Sequence, residues 1–256
     1  MIEAYAKFAE QLRTIPDGEV PIIVPVFNLV SYAKFMVDQL GSLGIENFII
    51  CDNGSTYQPM IDYLNEISKT HRVAFLGNNL GPRVYAESEM FLRAMPEYFV
   101  ITDPDLVFNN ELPKSFMKKM KRIIEMYNVS KAGFAIDIEN TKDKFFDPYQ
   151  VKRWESNYWA VPVNTYAEKD QLYVARIDTT FCMYRRDKVL EELSLGAVSV
   201  CNTTAIRIAG RYTCEHMGWW KEQPLSKEEE DYYNQSQTWA STYNEKVRLG
   251  YYDNSK

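Results

Sequence analysis

Residues 98–108 read Tyr98-Phe-Val-Ile-Thr-Asp-Pro-Asp-Leu-Val-Phe108, an apolar run, a pair of aspartates and a second apolar run. A short continuous apolar run is typical of a strand buried on both faces. Asp103 and Asp105 would lie at its exit, where two close carboxylates repel unless a positive charge lies between them. A divalent cation completed by the phosphates of a nucleotide diphosphate is the simplest such charge. A solvated acidic loop is the alternative, because Asp-x-Asp is common by chance.

The pattern before this stretch predicts an α/β fold. Short apolar strands alternate with helical stripes at about 25 residues per unit, which implies parallel strands joined by right-handed crossovers. We therefore expect a Rossmann-like, mostly parallel central sheet with helices on both faces. The predicted strands are 21–27, 47–51, 72–76 and 97–102, and the predicted helices are 2–14, 31–43, 58–69, 84–94 and one beginning near Phe116.

The pattern changes after residue 130. Short strands are predicted at 131–137, 172–176 and 180–184, with an acidic helix from about 226. The 256 residues lack an obvious linker. We expect a single domain over 1–256, with a nucleotide-binding half at about 20–130 and an acceptor-binding and catalytic half at about 131–256.

Composition excludes some classes of protein. A formal charge of −6 argues against non-specific nucleic-acid binding, which needs a basic surface. The four cysteines lack C-x-x-C spacing and are expected to be free thiols. The sequence shows neither a signal-peptide core nor an apolar stretch long enough to span a bilayer. We expect a soluble, cytoplasmic protein, and peripheral membrane contact stays open because an acceptor could be lipid-linked.

Three polar loops follow consecutive predicted strands and should meet at one edge of the sheet, where ligands bind in such folds. They are Asp52–Thr56, Gly77–Arg83 and Asp103–Asp105. An aspartate at a strand exit can accept the imide N–H of uracil, and Gly54 would let the backbone approach a ligand closely. Arg83 offers guanidinium donors to a base or diphosphate. Each loop alone could be plain turn chemistry, since turns use the same residues.

At these residues the chain resembles glycosyltransferases of the GT-A fold, family 2 in particular. The resemblance rests on Ile22–Asn28, Cys51–Thr56, Asn79–Gly81 and Thr102–Asp105, and it covers residues 20–110. It implies that Asp52 binds the donor base, and that Asp103 and Asp105 hold ribose and Mn²⁺ or Mg²⁺. The donor-binding residues expected are Asp52, Asn53, Asn79, Gly81, Arg83 and Asp103. At Asn53 many members carry a second aspartate, so base contacts could differ.

The second half should supply a catalytic base if the enzyme inverts. Family members often carry a late Glu-Asp pair, which is missing here. Asp178 is the replacement that we expect, because it lies between two apolar runs where its pKa could be raised. A turn residue is the alternative reading, and Glu215 and Asp137 are reserve candidates.

His216 lies in Glu215-His-Met-Gly-Trp-Trp220, which looks like the late histidine that several GT-A enzymes place on the metal. A packed, hydrogen-bonded histidine is an equal alternative. His71 follows a predicted helix beside Lys69 and Arg72, and we expect it at the surface.

Residues 145–159 are aromatic-rich and predict an acceptor-binding flap whose rings stack on sugars. Docking on lipid headgroups or a partner chain, and folding back as core, are the alternatives. The acceptor-binding residues expected are Tyr149, Trp154, Tyr158, Trp159 and Trp219.

The sequence thus predicts a metal-dependent, inverting glycosyltransferase that moves a sugar from a nucleotide diphosphate, by preference UDP, to a glycan or lipid-linked acceptor. A non-catalytic carbohydrate-binding or scaffold protein of the same fold is one rival. A sugar-nucleotide nucleotidyltransferase is another, although Val26–Ser31 lacks the glycines that such enzymes place after the first strand.

Overall fold

The computed structural model describes residues 1–139, 142–163 and 170–236. In this part of the chain the strands are β1 (Ile22–Val26), β2 (Phe48–Asp52), β3 (Arg72–Phe75), β4 (Tyr98–Ile101), β5 (Leu106–Phe108), β6 (Lys131–Ile136), β7 (Leu172–Val174), β8 (Cys182–Arg185) and β9 (Ala205–His216). The helices are α1 (Ile2–Leu12), α2 (Val30–Ser42), α3 (Gln58–Ile67), α4 (Val84–Glu87), α5 (Glu89–Ala94), α6 (Phe116–Tyr127), α7 (Pro148–Glu155), α8 (Arg186–Ser194) and α9 (Lys227–Ser236).

All nine described strands form one sheet, in the order β3-β2-β1-β4-β8-β6-β9-β5, with β7 paired to β9. The strands β1 to β4 are mutually parallel, and β6 and β9 run in the same direction. The strands β5, β7 and β8 run the opposite way. The sheet is therefore mostly parallel, as the strand–helix alternation predicts.

Alternate strand residues face two different cores. One core packs β1 and β2 through Ile22 and Ile50 against α2, α3 and α6, and the other packs the same strands through Ile23 and Ile49 against α1, α4, α5 and α8. Two covered faces explain why these strands are apolar at every position. Helices on both faces and the aspartate pair after β4 are what the GT-A type of fold implies, and the predicted fold class is confirmed. The narrower likeness to family 2 stays a prediction.

Two predicted elements differ from the structure. The helix expected over 84–94 is broken into α4 and α5 at Ser88, whose backbone is extended (φ −83°, ψ 119°). The segment 145–159, expected as a flap loop, is helical, with α7 followed by a 3₁₀ turn at Ser156–Trp159. Asp147 caps α7 by accepting a hydrogen bond from the Gln150 N–H, and Pro148 takes the first helical position.

Candidate functional site

The sheet brings the three predicted loops to one edge. Val26, the last residue of β1, lies opposite Asp52, the last residue of β2, and Asp52 lies opposite Phe75 of β3. The strand β4 flanks β1 on its other side, so the aspartate pair leaves the sheet beside the same edge. Parallel strand direction is the physical reason, because it puts every carboxyl end on the same side.

The loop after β2 begins with two buried residues, Asp52 and Asn53, and becomes exposed at Thr56. Asp52 Oδ1 accepts a hydrogen bond from the Ser55 N–H at 3.0 Å, and burial raises the pKa of Asp52 although Ser55 opposes that rise. Asn53 is buried, and its Oδ1 has no hydrogen-bond partner within the described residues. Gly54 has φ +75°, and a Cβ there would lie 2.9 Å from the Asn78 nitrogen. Only glycine fits where the two loops approach so closely.

Asn28, just after β1, organises this loop, a role that was not predicted from the sequence. It is fully buried with φ +54°, a conformation that asparagine tolerates better than most residues. Its Oδ1 accepts hydrogen bonds from the N–H groups of Thr56 (2.7 Å) and Tyr57 (2.9 Å). Its Nδ2 donates to Ser236 Oγ at 2.8 Å. The sequence signal that could have identified Asn28 is its position at the end of Ile22–Asn28, one of the segments on which the resemblance rests.

The acidic helix α9 lies against this same edge. Glu229 is buried, and its carboxylate accepts hydrogen bonds from the N–H (2.8 Å) and hydroxyl (2.6 Å) of Ser31 at the start of α2. A carboxylate is stabilised at a helix N-terminus by the free N–H groups there. Tyr232 donates to Thr56 Oγ1 at 3.0 Å, and its ring lies 4.9 Å from that of Tyr57. The end of the described chain therefore packs on the loop that carries Asp52.

The loop after β3 carries a self-contained turn and an ion pair. Asn79 Oδ1 accepts from the N–H of Gly81 at 3.0 Å. Arg83 Nε lies 2.9 Å from Asp178 Oδ1, and both side chains are about half exposed. The structure therefore joins a predicted donor-binding residue to the predicted base. Cys201 Sγ lies 3.7 Å from the same Asp178 oxygen.

Asp103, Asp105 and His216 form the candidate metal centre. Each offers one ligand atom, and these atoms all lie within 4.8 Å of one another. Asp105 directly precedes β5, His216 ends β9, and the Met217 N–H donates to the Asp105 carbonyl at 2.8 Å. The pairing of β5 with β9 thus brings a residue from late in the chain to the aspartate pair. His71 lies elsewhere, exposed, with its ring 5.4 Å from that of Phe48.

The electrostatics of this cluster favour a cation. Burial, and secondly the negative charge of Asp105, hold the pKa of Asp103 well above its usual range, although Thr179 Oγ1 donates to its Oδ2 at 2.6 Å. His216 Nδ1 is buried without a hydrogen-bond partner in the described chain, and lies 3.3 Å from Asp105 Oδ2. Two carboxylates with an unpartnered imidazole nitrogen suit Mn²⁺ or Mg²⁺, with carboxylate oxygens as the preferred ligands. The residues present fit such an ion.

The three base candidates have different surroundings. Asp178 is paired with Arg83, and the next residue, Thr179, contacts Asp103 through its hydroxyl and its backbone carbonyl. Lys144 Nζ contacts both carboxylate oxygens of Glu215, at 3.0 and 2.8 Å. Asp137 Oδ1 accepts from the Glu139 N–H at 3.0 Å. Asp178 and Glu215 each lie next in the chain to a residue at the metal cluster, which is Thr179 for Asp178 and His216 for Glu215.

The five predicted acceptor residues differ in exposure and in the residues that they contact. Tyr149 and Trp154 on α7 are 74% and 63% exposed. Tyr158 lies over the guanidinium of Arg207 at 4.1 Å, and Trp159 packs on Tyr173 with ring centroids 5.0 Å apart. Trp219 stacks on His216. Trp219 is the member of this group seen to contact the metal cluster in the described chain.

A buried ion pair holds α7 in place, and sequence reasoning missed it. Arg207 Nη1 lies 2.7 Å from Glu155 Oε2, with the two side chains only 5% and 3% exposed. Arg207 Nε donates to the Arg176 carbonyl at 2.9 Å. Burial raises the pKa of Glu155, and the positive charge of Arg207 opposes that rise. No local pattern links residues 155 and 207, so the sequence carried no signal for this pair.

Comparisons with known proteins give only distant similarities. No protein-family model and no curated protein matches the chain. Among solved structures, the chain is similar to glucosyl-3-phosphoglycerate synthase from Mycobacterium tuberculosis in complex with phosphoglyceric acid, at 14% identity and a TM-score of 0.37, covering 71% of this chain. The chain spans 62% of the length of that synthase. It is also similar to a structure described as a mycobacterial protein, at 12% identity and a TM-score of 0.39, covering 85% of this chain and 72% of that one.

With TM-scores this low, neither similarity carries an argument about activity or substrate. The fold and the site of this chain, taken by themselves, define an α/β protein with a mostly parallel sheet and a candidate Asp-Asp-His metal centre at the carboxyl edge of that sheet. None of the described helices is long and apolar enough to cross a membrane.

Proposed function

We propose that the protein is a metal-dependent glycosyltransferase that moves a sugar from a nucleotide diphosphate, a UDP-sugar by preference, to a glycan or lipid-linked acceptor. One observation carries the proposal: the ligand atoms of Asp103, Asp105 and His216 lie within 4.8 Å of one another. This cluster lies at the sheet edge where β2 ends and the Asp52 loop begins. Resemblance to GT-A enzymes at the same residues supports it.

The donor would bind across this edge. Asp52 would accept the imide N–H of the base, and the unpartnered Oδ1 of Asn53 is an acceptor for a second donor group of the ligand. Asp103, Asp105 and His216 would hold Mn²⁺ or Mg²⁺. Such an ion, when bound, neutralises the charge of a departing diphosphate. Arg83, with Asn79 and Gly81 beside it, would donate to the diphosphate.

Asp178 would act as the base in an inverting reaction. Its carboxylate would take the proton of the acceptor hydroxyl as the bond to the sugar forms. Because Asp178 is paired with Arg83 at 2.9 Å, the diphosphate and Asp178 would compete for the same guanidinium. Donor binding would then draw Arg83 away and leave the carboxylate available to the acceptor.

The acceptor would lie on the side of the segment 145–159. Trp219 stacks on His216 and Tyr158 lies over the guanidinium of Arg207, so these two aromatic residues are the first candidates for stacking on a sugar. In this proposal both halves of the chain act as one domain. A cytoplasmic enzyme that meets a lipid-linked acceptor at the membrane surface would use the exposed Tyr149 and Trp154.

The proposal is tested by thermal unfolding with UDP, dTDP, GDP and CMP, each with Mn²⁺ and with EDTA. A ligand that binds only the native state raises Tm by mass action, and we expect a shift for UDP that EDTA removes. Asp105→Asn should lose that shift, and Glu111→Gln, an exposed carboxylate close by in the chain, should keep it. Absence of any shift would overturn the donor site. Binding without Mn²⁺-dependent hydrolysis of the UDP-sugar or transfer would instead favour the non-catalytic protein.

A further inference from the structure

The ring of Trp219 lies flat on the ring of His216. The ring centroids are 4.8 Å apart and the planes differ by 16°. Both residues belong to one short segment, because His216 ends β9 and the 3₁₀ turn Met217–Trp219 follows directly. The turn folds the indole back over the imidazole.

The stacking on Trp219 fixes the plane of the His216 ring. Ligating histidines are normally held in orientation by contacts beyond the metal, most often a hydrogen bond from the second ring nitrogen. In His216 the nitrogen that faces Asp105 is Nδ1, which has no hydrogen-bond partner in the described chain and lies 3.3 Å from Asp105 Oδ2. Nδ1 is therefore the nitrogen available to the ion, and the indole lying flat on the ring is the packing contact that orients it.

Gly218 leaves the space that this arrangement needs. A Cβ on Gly218 would lie 2.9 Å from Asp105 Oδ2 and 2.9 Å from His216 Cε1, closer than real Cβ contacts allow. The turn thus passes directly over two of the candidate ligands without a side chain between them.

The position of Trp219 is set from the acceptor side of the molecule. Its carbonyl accepts from the Phe146 N–H at 2.9 Å, and the Phe145 ring meets its ring edge-on at 6.3 Å and 79°. Phe145 is buried with Val151 of α7 in the same small cluster. A continuous packing path therefore runs from α7 through Trp219 to His216.

We propose that Trp219 is a positioning residue for the metal ligand His216, and that the segment 145–155 acts on metal affinity through it. The inference rests on the proposed metal site. Its consequence is reciprocal: a change in the packing of α7 that displaces the Trp219 ring alters Mn²⁺ binding, and Mn²⁺ binding acts back on the same contact.

The test compares Trp219→Leu with Trp220→Leu, a matched control. Trp220 is the next residue, packs on the same cluster, is equally half-buried, and contacts Lys144 (4.8 Å) instead of His216. The readout is the Kd for Mn²⁺ alone, followed by the EPR signal of the free ion, which needs no turnover. Loss of an outer partner of a ligand typically weakens metal binding 10- to 100-fold, so we expect about a 10-fold rise in Kd for Trp219→Leu. Trp220→Leu should change it less than about 2-fold, and Trp219→Phe, which keeps a stacking ring, should recover most of the affinity.

A double-mutant cycle separates positioning from general destabilisation. In a His216→Ala background, Trp219→Leu should have little further effect on the Kd, because the ring that it orients is gone. Equal effects of Trp219→Leu and Trp220→Leu, or an effect of Trp219→Leu that persists without His216, would overturn the inference and leave the metal site standing. Failure of the native protein to bind Mn²⁺ would overturn the proposed metal site as well.

Discussion

Replacing Glu155 by alanine should destabilise the protein strongly, although the residue is remote from the predicted chemistry. Both members of the Glu155–Arg207 pair are almost completely buried, at 3% and 5% exposure. Removal of Glu155 leaves the Arg207 guanidinium buried, with the Arg176 carbonyl and the Tyr158 ring as its remaining partners among the described residues. Breaking a buried pair in this way costs about 3–5 kcal/mol, which for a chain of this size lowers Tm by about 6–20 °C.

The assay is reversible urea unfolding followed by tryptophan fluorescence, with thermal unfolding as a second probe. Glu139→Ala is the matched control, because Glu139 forms an exposed pair with Lys152 on the same helix, at 2.8 Å. An exposed pair is worth at most about 1 kcal/mol, so the control should unfold almost like the native protein.

A double replacement tests whether the cost of Glu155→Ala comes from the unpaired buried charge that it leaves. Burial raises the pKa of Glu155 in spite of Arg207, which means that desolvation of the pair is expensive. The double variant Glu155→Leu/Arg207→Met fills the space of the ion pair with apolar side chains. It should therefore recover most of the stability that Glu155→Ala loses. A loss below about 1 kcal/mol for Glu155→Ala would refute the argument, since it would mean that the pair is solvated and that α7 is not held by it.

Three further predictions concern the site itself. Gly54→Ala should lower the free energy of unfolding by about 1–3 kcal/mol more than Gly18→Ala. Both glycines have positive φ, but at Gly54 the added Cβ would also lie 2.9 Å from the Asn78 backbone, whereas at Gly18 nothing lies within 4 Å. Equal urea midpoints for the two variants would contradict this. Asp178→Asn should lower kcat by about 100-fold or more with little change in the Kd for UDP, and a collapse of UDP affinity would assign Asp178 to the donor site. Because the pKa of Asp103 is raised by burial and by Asp105, the metal-free native state keeps a proton that the unfolded chain loses above about pH 4. In EDTA, the stability of the native protein should then fall as pH rises from about 4 toward the raised pKa of Asp103. In thermal melts of Asp103→Asn, this pH-dependent loss of stability should be absent.

The first half of the fold could be predicted because its signals are local. Apolar runs of strand length alternate with helical stripes, and parallel direction follows from the crossovers alone. The same rule put the Asp52 loop, the Gly77–Arg83 loop and the aspartate pair at one edge, since the parallel strands β2, β3 and β4 all end there. Local chemistry also held the signal for α7, in Asp147 and Pro148, but aromatic composition outweighed it in the prediction of a flap loop.

The second half could be predicted less well because its partners are distant in the chain. His216 reaches Asp105 only because β9 pairs with β5, a pairing that no periodicity encodes. The same holds for Asn28 with Ser236 and for Arg83 with Asp178. Each of these contacts depends on how elements that are distant in the chain pack against one another.

The alternation of apolar runs and helical stripes was enough to predict an α/β fold. The residues that follow those runs were enough to predict carboxylates at its ligand-binding edge. Only the tertiary structure decided which of those groups meet: His216 with the aspartate pair, Glu155 with Arg207, and Trp219 with His216. The physical reason is the separation along the chain over which each kind of interaction acts. Backbone geometry and hydrophobic periodicity act over a few residues and are written locally. The pairing of charged and aromatic side chains is set by the packing of whole elements, which is known only once the sheet is assembled.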